Sequence, residues 1–346
     1  MCGARPPRGV ALALGVRQPG WRPIRLSVRR AVWRWSGVKS YRGVVMAAPA
    51  VPIRASITST VGAYVALTKP RIIELLLITT VPVMIVADQG VPSLWLIAAT
   101  VIGGTLSAGG ANAVNMWVDR DIDAVMERTQ NRPLVTGAVT PTAALVFAIA
   151  IEAFAFLWLW VLVNPLSALL ALAACLFYVF VYTLWLKRTS RQNIVIGGAA
   201  GAAPVLIGWA AVTDSVSISA LALFGVVFFW TPPHFWALAI RYRDDYSAVD
   251  VPMLPSVASI RSTTDQMLAH TVALVACSLL FGYTESMGPI YWVGAVVSGL
   301  LFLGLTWRVR VSATATDAMK LFHFSITYLT VLFVLMAVDV LVRFGL

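Results

Sequence analysis

Asn115, Asp119 and Asp123 stand at i, i+4 and i+8 in the string NMWVDRDID. On a helix that spacing drifts by only about 40° per step, so the three polar groups line one face while Asp121 points away. Three such groups at the end of an apolar segment are costly unless something binds them. A second acidic cluster, Asp244-Asp245, lies in RYRDDYSAVD, with Asp250 further on. Adjacent carboxylates repel one another and want a cation nearby. Two such clusters on one side of a helical bundle make a candidate Mg²⁺ site, because that ion takes few protein carboxylates, retained waters and substrate phosphates. The plainer alternative for the first cluster is a solvated loop start salt-bridged to Arg120 and Arg128.

Basic residues complete the chemistry. Arg128 and Arg132 lie one loop-length past the first cluster, Arg241 and Arg243 adjoin the second, and Lys187 and Arg188 fall on the same side. A carboxylate cannot contact a diphosphate directly, but Mg²⁺ can bridge the two. Arginine adds a planar fork for phosphate oxygens and lysine a point charge. A diphosphate beside a deep apolar bundle implies a lipid-like tail. Neutralising the leaving group would let an allylic C–O bond ionise. The resulting carbocation needs shelter from water and nearby aromatic faces, for which Tyr64, Trp117, Phe235, Trp236 and Tyr246 are candidates.

Composition dictates what positions these residues. Of 346 residues, 59% are hydrophobic and 12% charged, about half the charge of a soluble domain. The apolar runs are long enough for spans, and they lack the alternation of barrel strands. Helices are expected near 72–88, 92–116, 141–163, 165–186, 193–213, 217–239, 265–283, 288–307 and 321–342, with Pro82 a candidate kink in the first. With nine spans, Lys69 and Arg71 and the arginine-rich loops after spans two, four, six and eight fall on one side. Asp88, Asp214 and Glu285 fall on the other. That split marks the basic side as cytoplasmic. The two longest internal loops, 117–140 and 240–264, are four spans apart on that side, which hints at two related halves.

The net charge of +11 is therefore a membrane signature and no sign of nucleic-acid binding. Eleven of the 26 basic residues, and no acidic one, lie in 1–60. That segment reads as a basic N-terminal extension, flexible or on the membrane surface, ahead of a transmembrane domain at 61–346. Residues 24–35 have the character of an amphipathic surface helix, and Met46 is an alternative start. Cys2, Cys175 and Cys277 have neither disulfide nor metal spacing. His234, in PPHFW beside an expected break of span six, is the histidine most worth testing for contact with the acceptor; His270 and His323 rank below it. Glu152 and Asp339 sit inside apolar runs without an evident partner.

At the acidic loops the sequence resembles the intramembrane UbiA-type prenyltransferases, and within them the protoheme IX farnesyltransferase (heme O synthase) family. The family's Asn-x-x-x-Asp-x-x-x-Asp motif matches Asn115, Asp119 and Asp123 in NMWVDRDIDAVMERTQNRPL. LTKPRIIELLLITT at 67–80, LKRTSRQNIVIGGAAGAAPVLIGWAAVT at 186–213, PPHFWALAIRYRDDYSAVDVPMLP at 232–255 and KLFHFSITYL at 320–329 agree. The match runs from about residue 60 to the end. Two departures stand out: the superfamily's second Asp-x-x-x-Asp motif is replaced by Asp244-Asp245-Tyr246, and Asp250 stands where the heme branch more often has glycine.

The resemblance implies an all-α transmembrane bundle of about nine spans in the cell membrane. It implies transfer of the farnesyl group of farnesyl diphosphate to the 2-vinyl group of heme B, with water added, giving heme O and diphosphate. In that reading Asp119, Asp123, Asp244 and Asp245 hold Mg²⁺, directly or through water. Asn115, Arg128, Arg132, Lys187, Arg188 and Arg243 orient the diphosphate, and Lys69, Arg71, Tyr246 and His234 complete the substrate contacts. Heme B is a substrate and not a cofactor. A heme A synthase or terminal-oxidase assembly factors are reasonable protein partners, alongside membrane lipid. Two alternatives remain: a related prenyltransferase acting on a quinone precursor or other aromatic acceptor, and a cation-coupled transporter. The transporter would place its charges at the bilayer midplane, where these are not.

Overall fold

The computed structural model describes residues 57–345, with the side chains of 57, 58 and 71–77 outside that description. The expected basic extension, its segment 24–35 and Met46 therefore lie outside the described residues, up to residue 56.

Every regular element described is helical: α1 Ile57–Leu67, α2 Pro70–Asp88, α3 Leu94–Asp123, α4 Pro141–Leu162, α5 Pro165–Thr189 and α6 Asn193–Thr213. Then come α7 Ile218–Arg241, the short α8 Arg243–Ala248, α9 Ile260–Thr284, α10 Pro289–Ser312 and α11 Ala315–Phe344. Among the described residues, eight helices are long and apolar enough to cross a membrane. The nineteen-residue α2, apolar over its described part Ile78–Asp88, is the ninth long one. Helices satisfy their own backbone, which lipid cannot do.

The starts are written locally. Ser93, Thr140, Asn164, Ser217, Ser259 and Thr314 each accept a hydrogen bond from the backbone N–H three residues on. Proline opens α2, α4, α5 and α10, where its missing N–H costs nothing.

Small residues and buried polar groups set the packing. A Cβ on Gly103 would stand 2.4 Å from Leu159, so α3 and α4 approach closely there. Trp158 Nε1 donates to the Ala99 carbonyl at 2.9 Å, and Ser107 donates to Glu152 at 3.0 Å, which gives Glu152 its partner. Contacts run α3–α4–α5–α6 on one side and α7–α9–α10–α11 on the other, joined by α6 against α7 and by α2 against α6 and α11.

Two expectations are corrected. Span six is not broken at Pro232-Pro233: α7 runs unbroken from Ile218 to Arg241 with both prolines buried. Each proline removes one backbone donor, and tight packing on the neighbouring helices tolerates the loss. Span two also continues past 116 to Asp123, so the first acidic cluster is helical throughout.

Asp339 gains an account as well. Fully buried on α11, it accepts from the backbone N–H of Gly288 at 2.6 Å, Ile290 at 3.1 Å and Tyr291 at 3.2 Å. It thus caps the start of α10 from a distant helix, with a negative charge at the positive end of the dipole. Asp339→Ala leaves these buried donors unpaired. We expect a loss of roughly 2–3 kcal/mol, read as a clearly lower thermal midpoint in detergent, with Asp339→Asn intermediate.

Candidate active site

The last two turns of α3 carry the first cluster. Asn115, Asp119 and Asp123 are all buried, whereas Asp121 is exposed. Asn115 ties the group together: its Nδ2 donates to Asp119 Oδ2 at 2.9 Å and to Thr183 Oγ1 at 3.1 Å. Its Oδ1 accepts from Lys69 Nζ at 2.7 Å. Asp119 Oδ2 also takes a short ion pair from Lys187, while Asp119 Oδ1 has Arg188 at 3.6 Å and no hydrogen-bond donor. Arg188 clamps both oxygens of Asp121, at 2.6 and 2.7 Å. Arg132 meets Asp123 at 2.5 Å. Arg120, the alternative partner, instead turns back to the Trp117 carbonyl and ring.

Arg128 joins the two loops. Its guanidinium donates to the Tyr246 hydroxyl at 2.8 Å and lies over the rings of Tyr246 and Tyr242. Burial pushes the Tyr246 hydroxyl above its usual pKa, so it stays neutral. Five cations, Lys69, Arg128, Arg132, Lys187 and Arg188, thus stand around the three carboxylates Asp119, Asp121 and Asp123. That surplus suits an anionic ligand.

Lys69 registers it. Removal from water, reinforced by the charges of Arg132 and Lys187, lowers its pKa to about 7, against the opposing pull of Asp119 and Asp123. A bound diphosphate would favour the charged form and raise that pKa. At pH 8, binding of a prenyl diphosphate analogue should therefore take up protons. Calorimetry in buffers of different ionisation enthalpy measures that uptake, and Lys69→Gln should remove it.

Lys187 and Arg188, at the end of α5, are expected site residues, but the segment just before them adds groups that apolar patterning does not reveal. Phe177–Leu186 is π-helical, a departure that concentrates at functional sites. It carries Tyr178 and Tyr182, stacked at 5.2 Å, and Thr183, which reaches Asn115; Lys187, the next residue after it, reaches Asp119. A Cβ on Gly197 would stand 2.4 Å from the Tyr182 ring, so glycine there makes room for it.

Asp244 is exposed and Asp245 half-buried on α8; neither makes a side-chain hydrogen bond or ion pair with a described residue. Among the described residues the structure does not gather them with Asp119 and Asp123 into one group of metal ligands. The turn of α8 buries Tyr246 and leaves the two carboxylates on its outer side. Arg243 is exposed, and the Arg71 side chain lies outside the described residues. His234 is apart from this cluster, stacked between Trp230 and Phe322.

Below the cluster a cavity of about 200 Å³ opens among α2, α3, α5, α6 and α7. On α3 its lining is Asn112, Ala111, Ala108, Ser107 and Gly104, the stripe that continues from Asn115. The ion-pair cluster and the cavity therefore share one helix.

The UbiA prenyltransferase family model matches residues 76–331. The chain belongs to that family. A protoheme IX farnesyltransferase of Frankia alni is 57% identical over 285 residues, covering 82% of this chain and 99% of that one. Among solved structures, the apo UbiA homolog from Aeropyrum pernix K1 has a TM-score of 0.62 at 19% identity, covering 78% of this chain and 97% of the other. A UbiA homolog from Archaeoglobus fulgidus bound to GPP and Mg²⁺ has a TM-score of 0.55 at 16% identity, covering 79% and 99%. The chain is a multi-pass membrane prenyltransferase with the UbiA fold.

Proposed function

We propose that this enzyme transfers the farnesyl group of farnesyl diphosphate to the 2-vinyl group of heme B. Water is added, and heme O and diphosphate are the products. The observation that carries the donor half is the single stripe of α3 that joins a cation-ringed carboxylate at Asp119 to an apolar cavity at Ala108. The acceptor half rests on likeness to the Frankia alni protoheme IX farnesyltransferase, which extends over nearly its full length.

In this reading Asn115, Arg132, Lys187, Arg188 and Arg128 would hold the diphosphate oxygens. As the C1–O bond breaks, its electron pair leaves with the diphosphate, and the lysine and the three arginines stabilise the growing charge. The vinyl π electrons form the new bond to C1. Water then adds to the resulting porphyrin-conjugated cation and loses a proton. Tyr178 and Tyr182 present half-buried aromatic faces beside the site and would help exclude bulk water.

The donor set fits a hard divalent cation. Asp119 Oδ1 is a buried carboxylate oxygen without a hydrogen bond, as a metal ligand would be, and Asp123 lies on the same face. Asp244 and Asp245 would join as ligands through water or loop movement. Mg²⁺ bound there would screen the carboxylates from the diphosphate and draw charge from the leaving oxygen.

Lys69, Arg71 and Arg243 would contribute to the basic rim. That rim faces the cytoplasm in this reading, because the basic loops collect at one end of the bundle. Heme A synthase or oxidase assembly factors are the expected protein partners.

Purified chain with heme B, farnesyl diphosphate and Mg²⁺ tests the reaction by product mass. Farnesylated, hydroxylated heme supports it. Prenylation of a quinone precursor in place of heme would move the enzyme to another branch of the family.

A further inference from the structure

His234 has a fixed tautomer. Ser325 Oγ lies 2.6 Å from the Phe322 carbonyl, and a carbonyl only accepts, so the single hydroxyl proton goes there. The 2.7 Å contact between His234 Nδ1 and Ser325 Oγ must then be donation from Nδ1–H to the hydroxyl oxygen. The lone pair is left on Nε2. The ring cannot swing freely either, since Trp230 stacks on it at 4.1 Å and 16° and Phe322 at 4.6 Å and 24°. Trp230 is itself held by donation from Nε1 to the Ser325 carbonyl at 2.8 Å. His234 follows Val227 and Thr231 at i+7 and i+3, so it shares their face of α7, and Val227 lines the apolar cavity.

An imidazole whose Nδ1–H is engaged by an oxygen, with Nε2 free, is the arrangement that metal-binding histidines adopt. We propose that His234 Nε2 is the axial ligand to the iron of the heme substrate, with Ser325 as the positioning residue that holds its tautomer. The inference rests on the heme reading above and deepens it. A donor bond from this place fixes the porphyrin against the α7 face that continues into the cavity. Only a coordinate bond forms, and no electron is transferred. His270 donates its Nδ1–H to the Gln266 carbonyl at 2.8 Å, but it stands against Trp236 and Phe229, on another face of α7.

The test is resonance Raman spectroscopy of the full chain in detergent, loaded with heme B and reduced without oxygen. Wild type should show an iron–histidine stretch. His234→Gly should lose it and bind heme about 10–100-fold more weakly, and added imidazole should restore an iron–imidazole mode. His323→Ala should leave the stretch in place. Ser325→Ala should shift the stretch, because the ring becomes a weaker donor, whereas Ser325→Thr keeps the hydroxyl and should preserve it. This serine pair decides the matter if His234→Gly does not fold. Heme bound by wild type without the stretch, a stretch that survives in His234→Gly, or identical spectra from both serine variants would overturn the assignment. Failure of wild type to retain heme at all on gel filtration would overturn the heme reading, and this proposal with it.

Discussion

Asp119→Asn should lower kcat/KM for farnesyl diphosphate by about 10³-fold or more, roughly 4 kcal/mol of transition-state stabilisation, while heme B still binds. The carboxylate is fully buried and accepts from both Lys187 and Asn115, with Arg188 close by. Asparagine keeps the shape and removes the charge. Three consequences follow together. The candidate metal loses its best buried oxygen ligand, Lys187 loses its counter-charge, and Asn115 is free to turn. Breaking one partner of a buried pair also destabilises the fold, by about 3–5 kcal/mol in typical cases. The thermal midpoint should therefore be measured beside the activity. A folded variant with a lowered midpoint, intact heme binding and no turnover is the expected result. Near-wild-type turnover would remove Asp119 from the chemistry.

The second large effect concerns the tail. Ala108 lines the cavity eleven residues before Asp119 on α3, roughly 16 Å at 1.5 Å per residue. That depth is of the order a fifteen-carbon chain needs below its diphosphate. Ala108→Phe fills the cavity there, and a packed bundle relaxes only in part. In competition between geranyl and farnesyl diphosphates, the ratio of kcat/KM values should swing toward geranyl by about 100-fold, since a whole isoprene unit exceeds the methylene differences worth 10–200-fold. An unchanged ratio would place the tail elsewhere, for example in the apolar groove between α10 and α11.

Where pattern is local, the sequence was legible. The i, i+4, i+8 spacing of Asn115, Asp119 and Asp123 anticipated their common face, and Asp121 alone turned outward. Apolar run length located the nine long helices. What escaped depends on partners far apart in the chain. Lys69 meets Asn115 across 46 residues, and Asp339 caps Gly288 across 51. Neither pairing leaves a periodic trace. The π-helical register of Phe177–Leu186 has no compositional signal, so Tyr178, Tyr182 and Thr183 looked like ordinary residues of an apolar span. The Pro232-Pro233 pair misled in the other direction. Its propensity to break a helix is real, and burial among neighbouring helices overrode it.

In the proposed reaction the donor's diphosphate sits at Asp119 and its tail runs down α3 past Ala108. An experimental structure with a non-hydrolysable farnesyl diphosphate analogue and Mn²⁺, located by its anomalous scattering, tests this most directly. The expected result is a Mn²⁺ peak against Asp119 Oδ1, diphosphate among Lys187, Arg188 and Arg132, and the tail beside Ala108. A metal held by Asp244 and Asp245 alone, or a tail lying between α10 and α11, would contradict it.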